Sequence, residues 1–586
     1  MKTRRPLVDA MRMRPLSVAV TTAFLAAGNA MAFEFDTGNP DVAVRWDNTV
    51  RYNAGLRVQG RDPRIGNYYV ADEGDYSIDK GDMVANRLDL LSELDVVFRK
   101  DMGFRVSAAA WYDGAYGSRS RANPNLRDVL GNPAQPSYVN QTYSSYTKRY
   151  YAGPSGEILD AFVFSNFDAG NIPVKLKAGR HTVFWGESLF LGGALHSVSY
   201  AQMPLDLQKG FATPGTEAKE LFRPLNQISA QAQVTDSLSL AAQYFLQWEP
   251  YRYPEGGTYL GPVDFAFNGP DRIIQATHPL LGPLGYTRGD PVRPKNSGEF
   301  GLSARWSPEA LDGTLGFYLR RYADKLPQTL VTSQRLAGGF PLAGSSFYNL
   351  VYADNIDLFG VSLAKNIGGL SLGAELSYRR NTPLVAKVLG DVSATGVPAP
   401  GETSGPRGDT VHGLVNLMGS ISRTPLFDSA TWAGELVWSH WNKVRSGASL
   451  FNAVGYNCSV RFGVPARTRA GDKWDGCATK NYVGLNLSFT PTWFQVLPGV
   501  DLSAPLTAGM GLKGNAATTF GGNQGTGNFS LGLGADIYQK YRIDLKYIGY
   551  LGHYRDDGTG VVTSQNGSSV LIKDRGFLSL TLKTSF

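Results

Sequence analysis

The chain has only two cysteines in 586 residues, Cys458 and Cys477, and neither has the spacing of a zinc knuckle. Beyond residue 32 no run of 18 apolar residues exists, which excludes a transmembrane helix. The six histidines form no HExxH and no Cys/His set, and neither a G-x-S-x-G elbow nor a P-loop occurs. His196-Ser197 is the one pair hinting at a nucleophile and its base. Adjacent residues rarely face each other usefully, so neither an enzyme nor a cofactor is expected. A strong charge of one sign is lacking too. The formal net charge is +7, but residues 1–32 carry five basic and one acidic residue, which leaves +3 and argues against a nucleic-acid partner. No short-period repeat and no linker marks a second domain.

Glycine (68), tyrosine (29) and phenylalanine (29) are plentiful, as suits the turns and aromatic girdles of a membrane barrel. The N-terminus has a basic start (Lys2, Arg4, Arg5, Arg12, Arg14), an apolar stretch from Leu16 to Ala27, and Ala30-Met31-Ala32. These are the three zones of a secretory signal, so residues 1–32 are expected to be cleaved before Phe33, leaving 33–586 as one barrel. At the other end Leu578, Leu580, Leu582, Thr584 and Phe586 share one face, and Ser579, Thr581, Lys583 and Ser585 the other. This is the period of a strand between lipid and water. A terminal Phe on such a strand resembles the signal read by the barrel-assembly machinery.

The clearest strand is 42–58. Val42, Val44, Trp46, Val50, Tyr52, Leu56 and Val58 oppose Arg45, Asp47, Thr49, Arg51, Asn53 and Arg57. Leu88 to Phe98 alternates in the same way and returns through Phe104, Val106, Ala108, Ala110 and Tyr112 as a hairpin. Continuing to 576–586 gives eighteen candidate strands, and a range of 16–18. Long connections (59–86, 116–156, 183–225, 249–297, 323–354, 380–409, 442–479, 508–526 and 551–575) alternate with short ones such as 169–173, 235–237, 366–369 and 539–540. Short periplasmic turns, long extracellular loops and both chain ends in the periplasm are the pattern of a bacterial transmembrane antiparallel β-barrel in outer-membrane lipid. A β-sandwich has no reason to put every long loop at one end. The stretch Tyr138–Tyr151 reads as an ordered surface loop. The cysteines share one long loop, where a disulfide closing about 20 residues would contribute roughly 3 kcal/mol in the chain-entropy model; two free thiols are the alternative.

The densest stretch is Ala178-Gly-Arg-His-Thr-Val-Phe-Trp-Gly-Glu187, where the fifth strand meets the 183–225 connection. That connection also carries Asp206 and Arg223, and Pro214 could open a helix through Leu221. An 18-stranded barrel leaves an open lumen unless something fills it, and this loop is the expected filler. Arg180 and Glu187 have the charges for an internal ion pair, and Trp185 could stack on a guanidinium or a ligand. Arg180, His181, Trp185, Glu187, Asp206 and Arg223 are therefore the lumen candidates. Plug anchor, solute-contacting constriction and assembly contact remain open as their roles.

The run Gly179-Arg180-His181 with Trp185-Gly186-Glu187 resembles the domain-of-unknown-function family 1302 of outer-membrane proteins. So do Pro214-Gly215 with Glu217, Glu220 and Pro224, Gln247-Trp248-Glu249-Pro250, Cys477-Ala-Thr-Lys480, and Phe494 to Leu502. His181 stands where the family usually has Gln. The resemblance covers nearly all of the chain after residue 32. It implies a barrel working beside a periplasmic lipid-carrier-like protein and an RND-type permease in hydrophobic-compound catabolism. The expected function is transport of steroids, fatty acids or aromatics, with a general porin and a surface adhesin or structural barrel as alternatives.

Overall fold

The computed structural model describes residues 33–586 apart from 215, 217, 334–340, 388, 394–404 and 463–466. The expected signal peptide, Gly215 and Glu217 lie outside the described residues. Eighteen antiparallel strands close on themselves. They are β1 (Val42–Arg57), β2 (Met83–Phe98), β3 (Met102–Asp113), β4 (Ser155–Ala169), β5 (Ile172–His181), β6 (Leu225–Thr235), β7 (Leu238–Phe245), β8 (Phe300–Trp306) and β9 (Gly313–Tyr322). The other half is β10 (Ile356–Ile367), β11 (Leu370–Pro383), β12 (Arg407–Ile421), β13 (Ser429–Ser446), β14 (Asn481–Leu497), β15 (Val500–Ser503 and Leu506–Lys513), β16 (Gly527–Ile537), β17 (Tyr541–Leu551) and β18 (Phe577–Ser585). Every one falls on a strand expected from the alternation. β15 is interrupted at Ala504-Pro505, where proline has no N–H for the ladder.

Closure is made by β1 against β18, in register from Thr49↔Ser585 to Arg57↔Phe577. Beyond it the Asn48 and Phe586 backbones exchange both hydrogen bonds, 2.7 and 2.8 Å. The alternation therefore sorts inside from outside. On β1 Arg51, Asn53 and Arg57 are buried in the lumen, and Trp46 and Leu56 are exposed on the outer wall. Apolar side chains outside and polar ones inside is the arrangement a bilayer requires.

Long loops gather at one end, and tight turns with both described chain ends at the other. The loops pack into a cap. Tyr138, Tyr143 and Tyr151 are buried in it, while Val139 to Thr142, Ser145 and Arg149 are exposed, so the stretch is a surface loop anchored by its tyrosines. The Tyr138 hydroxyl donates to the Gly256 carbonyl at 2.8 Å, and the Tyr143 hydroxyl to that of Gly257 at 3.0 Å. A five-stranded sheet built from residues 272–288, 328–332, 347–351 and 390–391 completes the cap. The two cysteines form a disulfide with Cα atoms 5.9 Å apart.

Candidate functional site

The described residues between β5 and β6, within 182–224, fold into the barrel and meet its inner wall at β1, at β8 to β13 and at β18. Trp185 reaches β8 and β9, with its ring centroid 6.1 Å from that of Tyr318. Gly301 on β8 leaves room for it, since a Cβ there would stand 2.7 Å from the indole. Gly360 on β10 does the same for Val198, at 2.5 Å. Glycines on the lumen face thus let the loop lie directly on the wall.

Two wall carboxylates hold the loop backbone. Glu375 on β11 accepts from the Glu187 N–H, from the Val198 N–H at 2.7 Å and from the Ser197 hydroxyl at 3.2 Å. Glu435 on β13 accepts from the Leu189 N–H at 2.8 Å. Two wall arginines hold carbonyls. Arg320 on β9 donates to Val198 O and Tyr200 O, at 2.9 and 2.7 Å, and Arg379 on β11 to Ser197 O at 3.0 Å.

His196 adds a fifth attachment. Its Nε2 is 2.8 Å from the Gly521 carbonyl, which can only accept, so Nε2 carries a hydrogen. A neutral His196 then accepts at Nδ1 from His412 Nδ1–H on β12, 2.9 Å away, and His412 Nε2 accepts from the Thr410 hydroxyl at 2.9 Å. Burial, with Arg379 nearby, pushes His196 down to about 3 and keeps it neutral. The neighbouring Ser197 hydroxyl is 2.9 Å from that of Ser199 and donates to Glu375, so no nucleophile–base pair forms with His196. Among the described residues no group of three His, Cys, Asp or Glu could hold a metal ion.

The return of the loop is fastened by ion pairs. Asp206 caps the helix Leu207–Ala212 and meets Arg252 at 2.9 Å. Arg252 also pairs with Glu157 on β4 at 2.6 Å and lies over the Tyr150 ring, 4.2 Å from its centroid. Arg223 pairs with Glu249. Glu220 lies between Arg51 on β1 (2.6 Å) and Lys209 (2.9 Å). Burial pushes its carboxyl up, but Lys209 and Arg51 outweigh that and hold it below the usual carboxylate range. Pro214 does not open a helix through Leu221; the helical turn there is only Ala218–Leu221.

The six sequence candidates separate. Trp185, Glu187, Asp206 and Arg223 belong to the inward loop. His181, opposite Leu225, faces the lumen, with Nε2 2.7 Å from the Ser229 hydroxyl. Arg180 stands apart from Glu187. Its backbone is opposite Asn226, and its half-buried side chain, with Nε enclosed, has Glu249, Arg223 and Glu157 as nearby charges. It forms no ion pair with Glu187, whose carboxylate instead accepts from the Ser362 hydroxyl at 3.3 Å. The physical reason is that the chain leaves β5 between them, so Glu187 meets Ser362 on β10 and Glu375 on β11 while Arg180 stays at the end of β5. The sequence reading missed Glu375, Glu435, Arg320 and Arg379. Their signal was present as charged residues on the polar face of three strands, but the loop that meets them is far away in the chain.

No curated protein matches the chain. Among solved structures it is similar to OccAB2 of Acinetobacter baumannii (11% identity, 93% of this chain and 98% of that one, TM-score 0.39). It is similar at the same level to OpdK of Pseudomonas aeruginosa, solved with vanillate (11%, 93% and 98%, 0.38), and to OccD3 (OpdP) of the same organism (12%, 95% and 93%, 0.36). Neither identity nor superposition is close. The family model described as "Protein of unknown function (DUF1302)" matches residues 13–586, and the chain belongs to that family.

Proposed function

We propose that the protein sits in the outer membrane and admits hydrophobic or amphipathic small molecules of steroid, fatty-acid or aromatic type. The observation that carries this reading is the fastening of the 182–224 loop. It is held inside a barrel closed without it, by side-chain bonds to the wall and not by a strand ladder, so it can loosen while the barrel persists. The loop also exposes Phe184, Leu189 and Leu191, apolar surface that a general polar porin has no use for. No catalytic step is assigned to it. A periplasmic lipid-carrier-like protein and an RND-type permease, as family resemblance implies, would take the solute onward.

The test compares uptake of sterols, fatty acids and aromatics by a deletion strain and its parent. Loss of one apolar class supports the proposal. Loss of small polar solutes alone would favour a general porin. Unchanged uptake with lost surface attachment would favour an adhesin. Orientation is read separately. A cysteine introduced at the exposed Ser145, in the loop cap, should label on whole cells with an impermeant reagent, and one at Ala169, at a turn, should not.

A further inference from the structure

Most arginines inside this barrel face a carboxylate. Arg51 has Glu220, Arg57 has Asp75, Arg87 has Asp89, Arg223 has Glu249 and Arg252 has Asp206 and Glu157. Among the described residues Arg320 and Arg379 have none within ion-pair distance, although both are fully buried. They stand in one row across the wall, since Arg320 is opposite Leu358 on β10 and Leu358 is opposite Arg379 on β11. Two strand spacings put their Cα atoms about 10 Å apart. The carbonyls of consecutive residues, Ser197 and Val198, accept from the two guanidiniums, so both heads converge on one point of the inward loop.

Their hydrogen-bonding capacity is mostly unused. Arg320 Nε and Nη2, Arg379 Nε and Nη1 and the Tyr322 hydroxyl are all buried without a partner. Nearby acids are engaged elsewhere. Glu299 meets Lys325 at 3.3 Å and accepts from Ala323 N–H, while Asp324 accepts from the Tyr200 hydroxyl at 2.7 Å and from Leu326 N–H. Two buried cations that share only three neutral carbonyls are poorly compensated. A carboxylate is the group that matches a guanidinium fork, with two oxygens and one negative charge. Tyrosine rings line the place. Arg320 lies 5.0 Å from the Tyr322 centroid, and Arg379 4.3 Å from that of Tyr200.

We propose that Arg320 and Arg379 form a binding site for the carboxylate head of an amphipathic solute, and that the carbonyls of Ser197, Val198 and Tyr200 occupy it until the solute arrives. Exchange is oxygen for oxygen. The carboxylate takes the N–H groups now given to the loop, the loop loses that attachment, and the solute's apolar part meets the tyrosine rings and the loop's own apolar surface. This rests on the uptake reading above and narrows it to anionic amphiphiles.

Equilibrium binding of decanoate and of decanol to the purified full-length barrel, in a non-ionic detergent, tests the site. Decanoate should bind about tenfold or more tighter than decanol, the scale of a charge-assisted bidentate pair. Arg379→Gln and Arg320→Gln should each remove that preference, while Lys177→Gln, on the lumen side of β5, should keep it. Equal binding of acid and alcohol by the parent protein overturns the proposal even where a variant fails to form the heat-modifiable barrel. So does an undiminished preference in a well-folded Arg379→Gln. Decanoate uptake by cells is scored separately. A preference for the acid in vitro with unchanged uptake in the deletion strain would leave the site standing and refute the transport reading.

Discussion

Single side chains decide how firmly the inward loop is held, and they differ in weight. Glu375 gathers two backbone N–H groups and a hydroxyl, whereas the Glu187 carboxylate meets one hydroxyl. Removing Glu375 leaves buried donors unpaired, at about 1–3 kcal/mol each. Glu375→Ala should therefore make single-channel current in a planar bilayer larger or noisier, and Glu187→Ala should do so much less. The reverse order would mean that the loop is held elsewhere. Titration acts with opposite sign at two other residues. His196 is held near 3, below its ordinary value of 6.5, so its contribution to loop docking is complete above 6.5 and is lost as pH falls toward 3. Burial, with Asp72 beside it, pushes Glu73 in the cap up to about 8. Its contribution is complete below the ordinary 4.5 and is lost as pH rises through 8. Hydrogen exchange, corrected for its intrinsic pH dependence, should quicken near residue 196 on acidification and near residue 73 on alkalinisation. Glu73→Gln should flatten only the second trend, and parallel trends at both places would contradict the assignment.

At the level of elements, β-strand alternation was legible because the bilayer writes it twice, apolar outward and polar inward, on strand after strand. Arg51 buried and Trp46 exposed on β1 repeat what the face pattern of 42–58 implied. The alternation of long and short connections carried the closure and the loop end for the same reason. The site was legible only as a place. Which loop enters the lumen followed from its length and charge, but its partners lie on β9, β11, β12 and β13, more than a hundred residues away, and no local pattern encodes that meeting. Arg180 and Glu187 show the limit of pairing residues by charge type, since the chain leaves β5 between them and Glu187 meets β10 and β11 instead. The cysteine loop is a simpler element. Cys458 and Cys477 enclose the hairpin Ser459–Phe462 with Arg467–Ala470, and Asp475 within the same loop pairs with Arg469 at 2.6 Å. Denatured, unreduced protein should show no free thiol, and Cys458→Ser should show one. Two thiols in the parent protein would remove the bridge.

For the whole molecule, closure is the property on which the rest depends. A strand edge left open in lipid exposes unpaired N–H and C=O groups that no water can satisfy, at several kcal/mol each, so a barrel is stable only when its first and last strands meet. Here they meet over nine register pairs, and Phe586 extends the seam by one further exchange with Asn48. At the other end Val58 and Gln59 N–H donate to the Gly576 carbonyl, and the inward loop leans on both seam strands, through Arg51 on β1 and through the Thr581 hydroxyl on β18, which donates to the Pro214 carbonyl at 3.1 Å. Loop docking therefore presupposes closure, while closure does not require the loop. Deleting Phe586 removes one exchange of the seam and the aromatic terminus that resembles an assembly signal. It should lower the amount of heat-modifiable barrel recovered from membranes, while the molecules that do close keep parental conductance. Reduced yield together with altered conductance would show that the last residue also positions the loop. Unchanged yield would show that nine pairs suffice and that the terminal phenylalanine is not read during insertion.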